Sequence, residues 1–179
     1  MPVLPVRVYA DTTVFGGAFD DEFESDSLAF FEQARSGRIR LATSALVRAE
    51  LDGAPKRVQD LFEELEPLME VLPVTREAVR LQSAYLRACV VGEASMNDAL
   101  HVALATVARC AILVSWNFKH LVQYRRIRGY NAVIPPVATG ILPPPGGPDP
   151  AIVMEGPRFE YNPRRESVNT AIVAIGEAS

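Results

Sequence analysis

The chain has 179 residues, 49% of them hydrophobic and 22% charged, with a net charge of −4. That length suits one domain, and the composition is that of a globular protein rather than a disordered one. No stretch approaches the roughly 18 apolar residues of a membrane helix, and the start, MPVLPVRVYAD, lacks the basic-then-apolar pattern of a secretory signal.

Val6, Val8 and Ala10 alternate with Arg7, Tyr9 and Asp11, which predicts a first strand broken off before Gly16-Gly17. Asp26 to Gly37 reads as a helix with Leu28, Phe31 and Ala34 on one face. Ile39 to Thr43 reads as a second strand, followed by a helix capped by Ser44 and carrying Leu46, Val47 and Leu51. A helix over Pro55–Leu65 and a short edge strand at Val71 and Leu72 come next. Thr75 caps a helix running to about Val91, with Gly92 as its stop, and Ser95 opens another that ends near Arg109. Ala111 to Ser115 is an apolar run of the length of a buried parallel strand, and Ala132 to Ile134 is expected as a last strand. This alternation predicts an α/β domain over residues 1–134 with a mostly parallel sheet.

Residues 135–179 hold 9 of the 14 prolines and read as an extended, proline-rich extension, with one late strand or helical turn within VNTAIVAI (168–175). Cys89 and Cys110 stand alone in apolar, helix-like surroundings and form no CxxC pair, so a reducing cytoplasm is the expected home. Charge is unevenly spread. Residues 1–98 carry 10 basic and 17 acidic side chains, whereas 99–148 carry five basic residues and no acid. An acidic half joined to a basic stretch can place both signs around one cleft.

In a parallel α/β sheet, ligands bind beyond the carboxyl ends of the strands. Asp11 follows the first strand, and Asn117 lies two residues past Ser115 at the end of AILVS. Glu50 sits in the helix after the second strand, and Asp98 in the first turn of the helix leading into AILVS. Singly, each has an ordinary structural explanation. Asp11 can form an Asx-turn or helix cap, Glu50 can border an apolar stripe, and Asn117 can be a turn residue. Asp98 can close a capping box with Ser95. Together, three carboxylates within about 4 Å would repel by several kcal/mol per pair at an effective dielectric near 20. A divalent cation offsets that repulsion, and all-oxygen ligation selects Mg²⁺ or Mn²⁺. His101, one turn beyond Asp98, reads as a neighbour of that group or as a packed helix histidine.

Four segments, VYADTTVFGGAFD (8–20), LATSALVRAEL (41–51), SMNDALHVALA (95–105) and AILVSWNFKHL (111–121), resemble the PIN-domain ribonucleases and, among them, the VapC-like toxins of bacterial toxin–antitoxin pairs. The resemblance covers about residues 6–134. It implies a three-layer α/β/α fold with a central sheet of about five parallel strands. It also implies a Mg²⁺ (or Mn²⁺) site at Asp11, Glu50 and Asp98, with Asn117 standing where the family usually has Asp. As implied function it carries metal-dependent endoribonuclease activity, with Asp11, Glu50, Asp98 and Asn117 catalytic. Ser115, Lys119, Arg125, Arg126 and Arg128 would then contact the RNA, and the partners would be a cognate antitoxin and a second copy of the chain. Trp116 would stack a base or fill the core. A degenerate domain that binds RNA or a protein without cutting is the alternative, favoured by Asn117 and by the long tail. A phosphatase of the haloacid-dehalogenase kind also begins with Asp after the first strand, but needs a second Asp where this chain has Thr13.

Overall fold

The computed structural model describes residues 5–117, 121, 129, 130, 133, 152, 153 and 172–174. Strands and helices alternate as the pattern predicts. In chain order they are β1 (Val6–Ala10), α1 (Thr12–Gly17), α2 (Glu24–Arg35), β2 (Ile39–Ser44), α3 (Ala45–Leu51), α4 (Lys56–Leu65), β3 (Met69–Leu72), α5 (Arg76–Arg87), α6 (Met96–Val107), β4 (Ile112–Val114), β5 (Ile152–Val153) and β6 (Ile172–Ala174). Single 3-10 turns at Glu66–Leu68 and Glu93–Ser95 lead into β3 and α6.

The sheet order is β3-β2-β1-β4-β6-β5. β1 pairs parallel with β2 and β4, and β2 pairs parallel with β3. This gives four parallel strands where about five were expected. Val133 lies outside any strand, and the remainder of the strand expected at 132–134 falls outside the described residues. The position beside β4 is taken by β6, which runs antiparallel with Ile112 opposite Ala174 and Val114 opposite Ile172. β5 then pairs antiparallel with β6. Thus a late strand does form within 168–175, and it extends the sheet.

Strand alternation sorts the core into two halves. Val8, Ala10, Leu41, Ile112 and Val114 face α1, α2, α3 and α4, where Phe15, Phe30, Phe31 and Phe62 are buried together. Phe15 packs on Phe31 and Phe62 with ring centroids 5.1 and 5.3 Å apart, at the tilted angles aromatic quadrupoles prefer. Tyr9, Ala42, Leu72 and Leu113 face α5 and α6 on the other side, against Leu81, Tyr85, Val102 and Leu104. Helices therefore cover both faces, the arrangement that buried parallel strands require.

Chain order then fixes where a site can lie. From β1 the chain moves first to β2 and β3, and returns to the opposite flank of β1 as β4. The strand order reverses at β1, and in such sheets the place for a ligand is the crevice beyond the strand's carboxyl end, here between the first turn of α1 and the segment leaving β4.

Candidate active site

Asp11 stands at that reversal. It is the first residue after β1, held there by its N–H on the Val114 carbonyl at 3.3 Å. Its Oδ1 accepts from the Thr13 N–H at 3.0 Å, which caps α1, and from the Thr13 hydroxyl at 2.6 Å. The capping explanation is therefore correct in geometry, but it does not exhaust the residue. Asp11 is 2% exposed, a carboxylate taken almost wholly out of water. Burial raises its pKa above the usual carboxylate range, against the opposing pull of the hydrogen bonds from Ser115 and Thr13.

A chain of short contacts runs from Asp11 across the crevice. The Thr13 hydroxyl accepts from the Trp116 N–H at 2.8 Å and lies 3.5 Å from Ser115 Oγ. Ser115 Oγ accepts from the Asn117 N–H at 3.0 Å. The Asn117 side-chain amide donates to Asp98 Oδ1 at 3.0 Å. Asp98 is thus turned to the β4 end of the crevice. Ser95 makes no side-chain cap bond to α6, so the capping box is not formed. Ser115 is fully buried and braces Asp11 and Asn117 from within. Trp116 fills the core: it is 8% exposed, stacks on Phe23 at 5.5 Å, and donates its indole N–H to Ser27 at 2.8 Å.

Glu50 closes the other side. It projects from α3, whose start is capped by Ser44 accepting from Val47 N–H at 3.3 Å. Glu50 Oε2 accepts from the Thr12 hydroxyl and lies 3.1 Å from His101 Nε2, and Oε1 accepts from Asn97 at 3.0 Å. Partial burial works to raise its pKa, but the hydrogen bonds from His101, Thr12 and Asn97 outweigh it, and the group sits below the ordinary carboxylate range. His101 is buried within α6 and also meets Glu50, so it is both a packed helix histidine and a neighbour of that carboxylate.

All four residues singled out by the sequence therefore meet at one end of the sheet, joined through Thr12, Thr13, Ser115 and Asn97. Thr12, Thr13 and Tyr9 were not singled out, because a threonine after a strand and a tyrosine within one carry no signal of their own. Lys119, Arg125, Arg126 and Arg128 lie outside the described residues.

The donor set fits a hard divalent cation in its chemistry, since every candidate ligand atom is a carboxylate or amide oxygen. Among the described residues, however, no three His, Cys, Asp or Glu side chains are grouped to hold an ion. Glu50 is turned to His101, Thr12 and Asn97, and Asp98 to the Asn117 amide.

The sequence profile of the PIN domain matches residues 8–121, which span the region from β1 through the segment after β4. The chain belongs to the PIN domain family. Asp11, Glu50, Asp98 and Asn117 all fall within the matched PIN region. No curated protein matches the chain. Among solved structures, the PIN domain here is similar to a chain in the crystal structure of VapBC2 from Rickettsia felis bound to a DNA fragment from their promoter. That likeness has 18% identity and a TM-score of 0.48, over 64% of this chain and 90% of the other. Among the described residues no helix is long and apolar enough to cross a membrane.

Proposed function

We propose that this PIN domain is a metal-dependent endoribonuclease and the toxin of a toxin–antitoxin pair, acting in the cytoplasm. The observation that carries the reading is the convergence of Asp11, Glu50, Asp98 and Asn117, drawn from four separate segments, on the crevice where the strand order reverses. Taking the Asp11 carboxyl out of water costs free energy that a purely structural residue would avoid, which supports a chemical role.

Asp11 and Asp98 would hold a Mg²⁺ or Mn²⁺ ion, with Glu50 completing the ligand set. The chemistry such an ion supplies is polarisation of a phosphoryl oxygen and a lowered pKa for water. Glu50, kept ionised by its donors, is suited to accept a proton from attacking water at a carboxylate oxygen. Asn117 carries an amide oxygen as well as the N–H now on Asp98, and orients the phosphate. Ser115 acts through Asp11 and Asn117, whose positions it fixes. The basic stretch at Lys119, Arg125, Arg126 and Arg128 would grip the RNA backbone, since phosphate contacts supply most sequence-independent affinity. The domain boundary at 134, a cognate antitoxin and a homodimer belong to the same proposal.

One observation favours the second reading, a PIN domain that binds RNA or a protein without cutting it. Asn117 brings no charge to the site and spends its side-chain N–H on Asp98. The haloacid-dehalogenase alternative loses ground, because the Thr13 hydroxyl and N–H are both spent on Asp11. The purified protein, incubated with RNA and Mg²⁺ or Mn²⁺ with EDTA as control, separates the two. Cleavage abolished by EDTA and by Asp11→Asn supports the nuclease. RNA binding without cleavage supports the second reading.

A further inference from the structure

The nuclease reading leaves a buried polar chain unused beneath Glu50. Tyr9 of β1 is fully buried on the α5–α6 side of the sheet. Its hydroxyl lies 2.7 Å from Ser44 Oγ and 2.8 Å from His101 Nδ1. His101 is 4% exposed, and its other nitrogen meets Glu50 at 3.1 Å. The chain therefore ties β1, the cap of α3 and the middle of α6 to one carboxylate.

Counting protons gives the chain a direction. An ionised Glu50 only accepts, so His101 Nε2 must carry a proton. In a neutral imidazole Nδ1 then accepts, so Tyr9 donates to it, and Ser44 donates to Tyr9. This order satisfies all four groups without placing another charge in the interior, and it selects one tautomer.

The other two donors to Glu50 are less able to fix it. Asn97 is exposed, and Thr12 is only partly buried. A hydrogen bond at an exposed position competes with water, whereas the imidazole is itself held by a buried hydroxyl. A glutamate has three side-chain torsions, and without a rigid partner it spreads over many rotamers.

We propose that His101 is a positioning residue, locked by Tyr9 as its Nε2–H tautomer, and that it holds the Glu50 carboxylate in the single orientation the cleavage step uses. The proposal rests on the nuclease reading and adds to it a second layer of residues: Tyr9, Ser44 and His101. Partners of this kind, one bond behind a ligand or base, set activity or metal affinity by about 10–100-fold.

The test uses the full chain and three variants, His101→Leu, His101→Gln and Tyr9→Phe. Each is followed by RNA cleavage kinetics, Mn²⁺ titration and nitrogen-15 NMR of the imidazoles. The chain has two histidines, so the spectrum of His101→Gln assigns the other. The wild type should show a single Nε2–H tautomer for His101, and Tyr9→Phe or Glu50→Gln should mix it. His101→Leu should lower kcat by about 10–100-fold with KM for RNA nearly unchanged. His101→Gln keeps an N–H that can reach Glu50 and should recover most of that loss. Should His101→Leu fail to fold, His101→Gln and Tyr9→Phe carry the kinetic comparison. A His101 signal averaged between tautomers in the wild type would overturn the proposal. So would kcat and Mn²⁺ affinity unchanged in every variant, with only the melting midpoint lowered. A wild type that cuts no RNA defeats the nuclease reading instead, and the NMR response to Glu50→Gln still decides whether the tether exists.

Discussion

Asp11 and Glu50 are both carboxylates at one crevice, yet their surroundings push them in opposite directions, and stability should follow each sign. Burial raises Asp11, so its contribution is full below the usual carboxylate pKa and is lost as pH rises through the folded value. Ionised Asp11 therefore costs stability at neutral pH when no cation is present. Asp11→Asn keeps the oxygen that accepts from Thr13. With chelator at pH 8 its thermal midpoint should equal that of the wild type or exceed it by about 2–4 °C for each kcal/mol relieved, while RNA cleavage is lost. The gain should vanish in melts near pH 4. Glu50 is lowered, so its contribution is present above the unfolded pKa and is lost as pH falls through the folded one. Glu50→Gln should cost about 1–2 kcal/mol at pH 7, and denaturant titrations should show the deficit shrinking below about pH 4. Asp11 and Asn117 were legible in the sequence because each is a polar residue just past an expected strand, and Glu50 and Asp98 because they lie in expected helices flanking those strands. His101 was legible as two alternative readings, and both hold. Tyr9 and Thr13 were not legible at all: a buried hydroxyl network depends on which side chains the fold brings together, and that is absent from local periodicity.

Most helix starts, helix ends and strand positions followed the pattern; α1 was not expected, and α5 is the helix whose end departs, because of a cap that recurs in the fold. In α2 the Gly37 N–H bonds to Ala34 and the Arg38 N–H to Gln33, with Gly37 left-handed at φ 70°, a Schellman motif legible from the glycine. The same pair of bonds ends α5 through Cys89, at φ 56°, and α6 through Arg109, at φ 55°. Gly92 was the visible stop, so α5 was expected to reach about Val91, yet it ends at Arg87. Side-chain-bearing residues in this conformation cost about 1–2 kcal/mol, more than glycine's extra unfolded-state entropy. Cys89→Gly, at an exposed position, should therefore stabilise the protein by about 0.5–1 kcal/mol in chemical denaturation. The α1–β4 junction works the other way. A Cβ on Gly17 would come within 2.6 Å of Trp116 and Ser27 Oγ. Gly17→Ala should destabilise by about 1–3 kcal/mol, and by displacing Trp116 should also loosen Asn117, read as weaker Mn²⁺ binding.

At the scale of the molecule, an α/β domain with a mostly parallel sheet was legible because strand patterns alternate with helical ones, and the three layers came with the family resemblance. The sheet's far edge was not legible. The strand beside β4 comes from 172–174, some 58 residues after Val114, and antiparallel pairing over such a separation leaves no mark in local sequence. A chain ending at Ile134 should keep the α/β fold and the metal site. It should also self-associate more strongly in light scattering, because the uncovered β4 edge presents unpaired N–H and C=O groups. Loss of the far-ultraviolet circular dichroism of the folded chain in that truncation would make the tail part of the core. In the proposed nuclease, three acids from three segments serve one cation and one reaction. Mn²⁺ titration of the wild type beside Asp11→Asn and Asp98→Asn, with RNA cleavage followed in the same samples, tests it most directly. The wild type should show one saturable site, lost or weakened at least about tenfold in each variant, with cleavage lost in parallel. Wild-type protein that is folded but binds no Mn²⁺, or variants that bind and cleave as well as it does, would contradict the account.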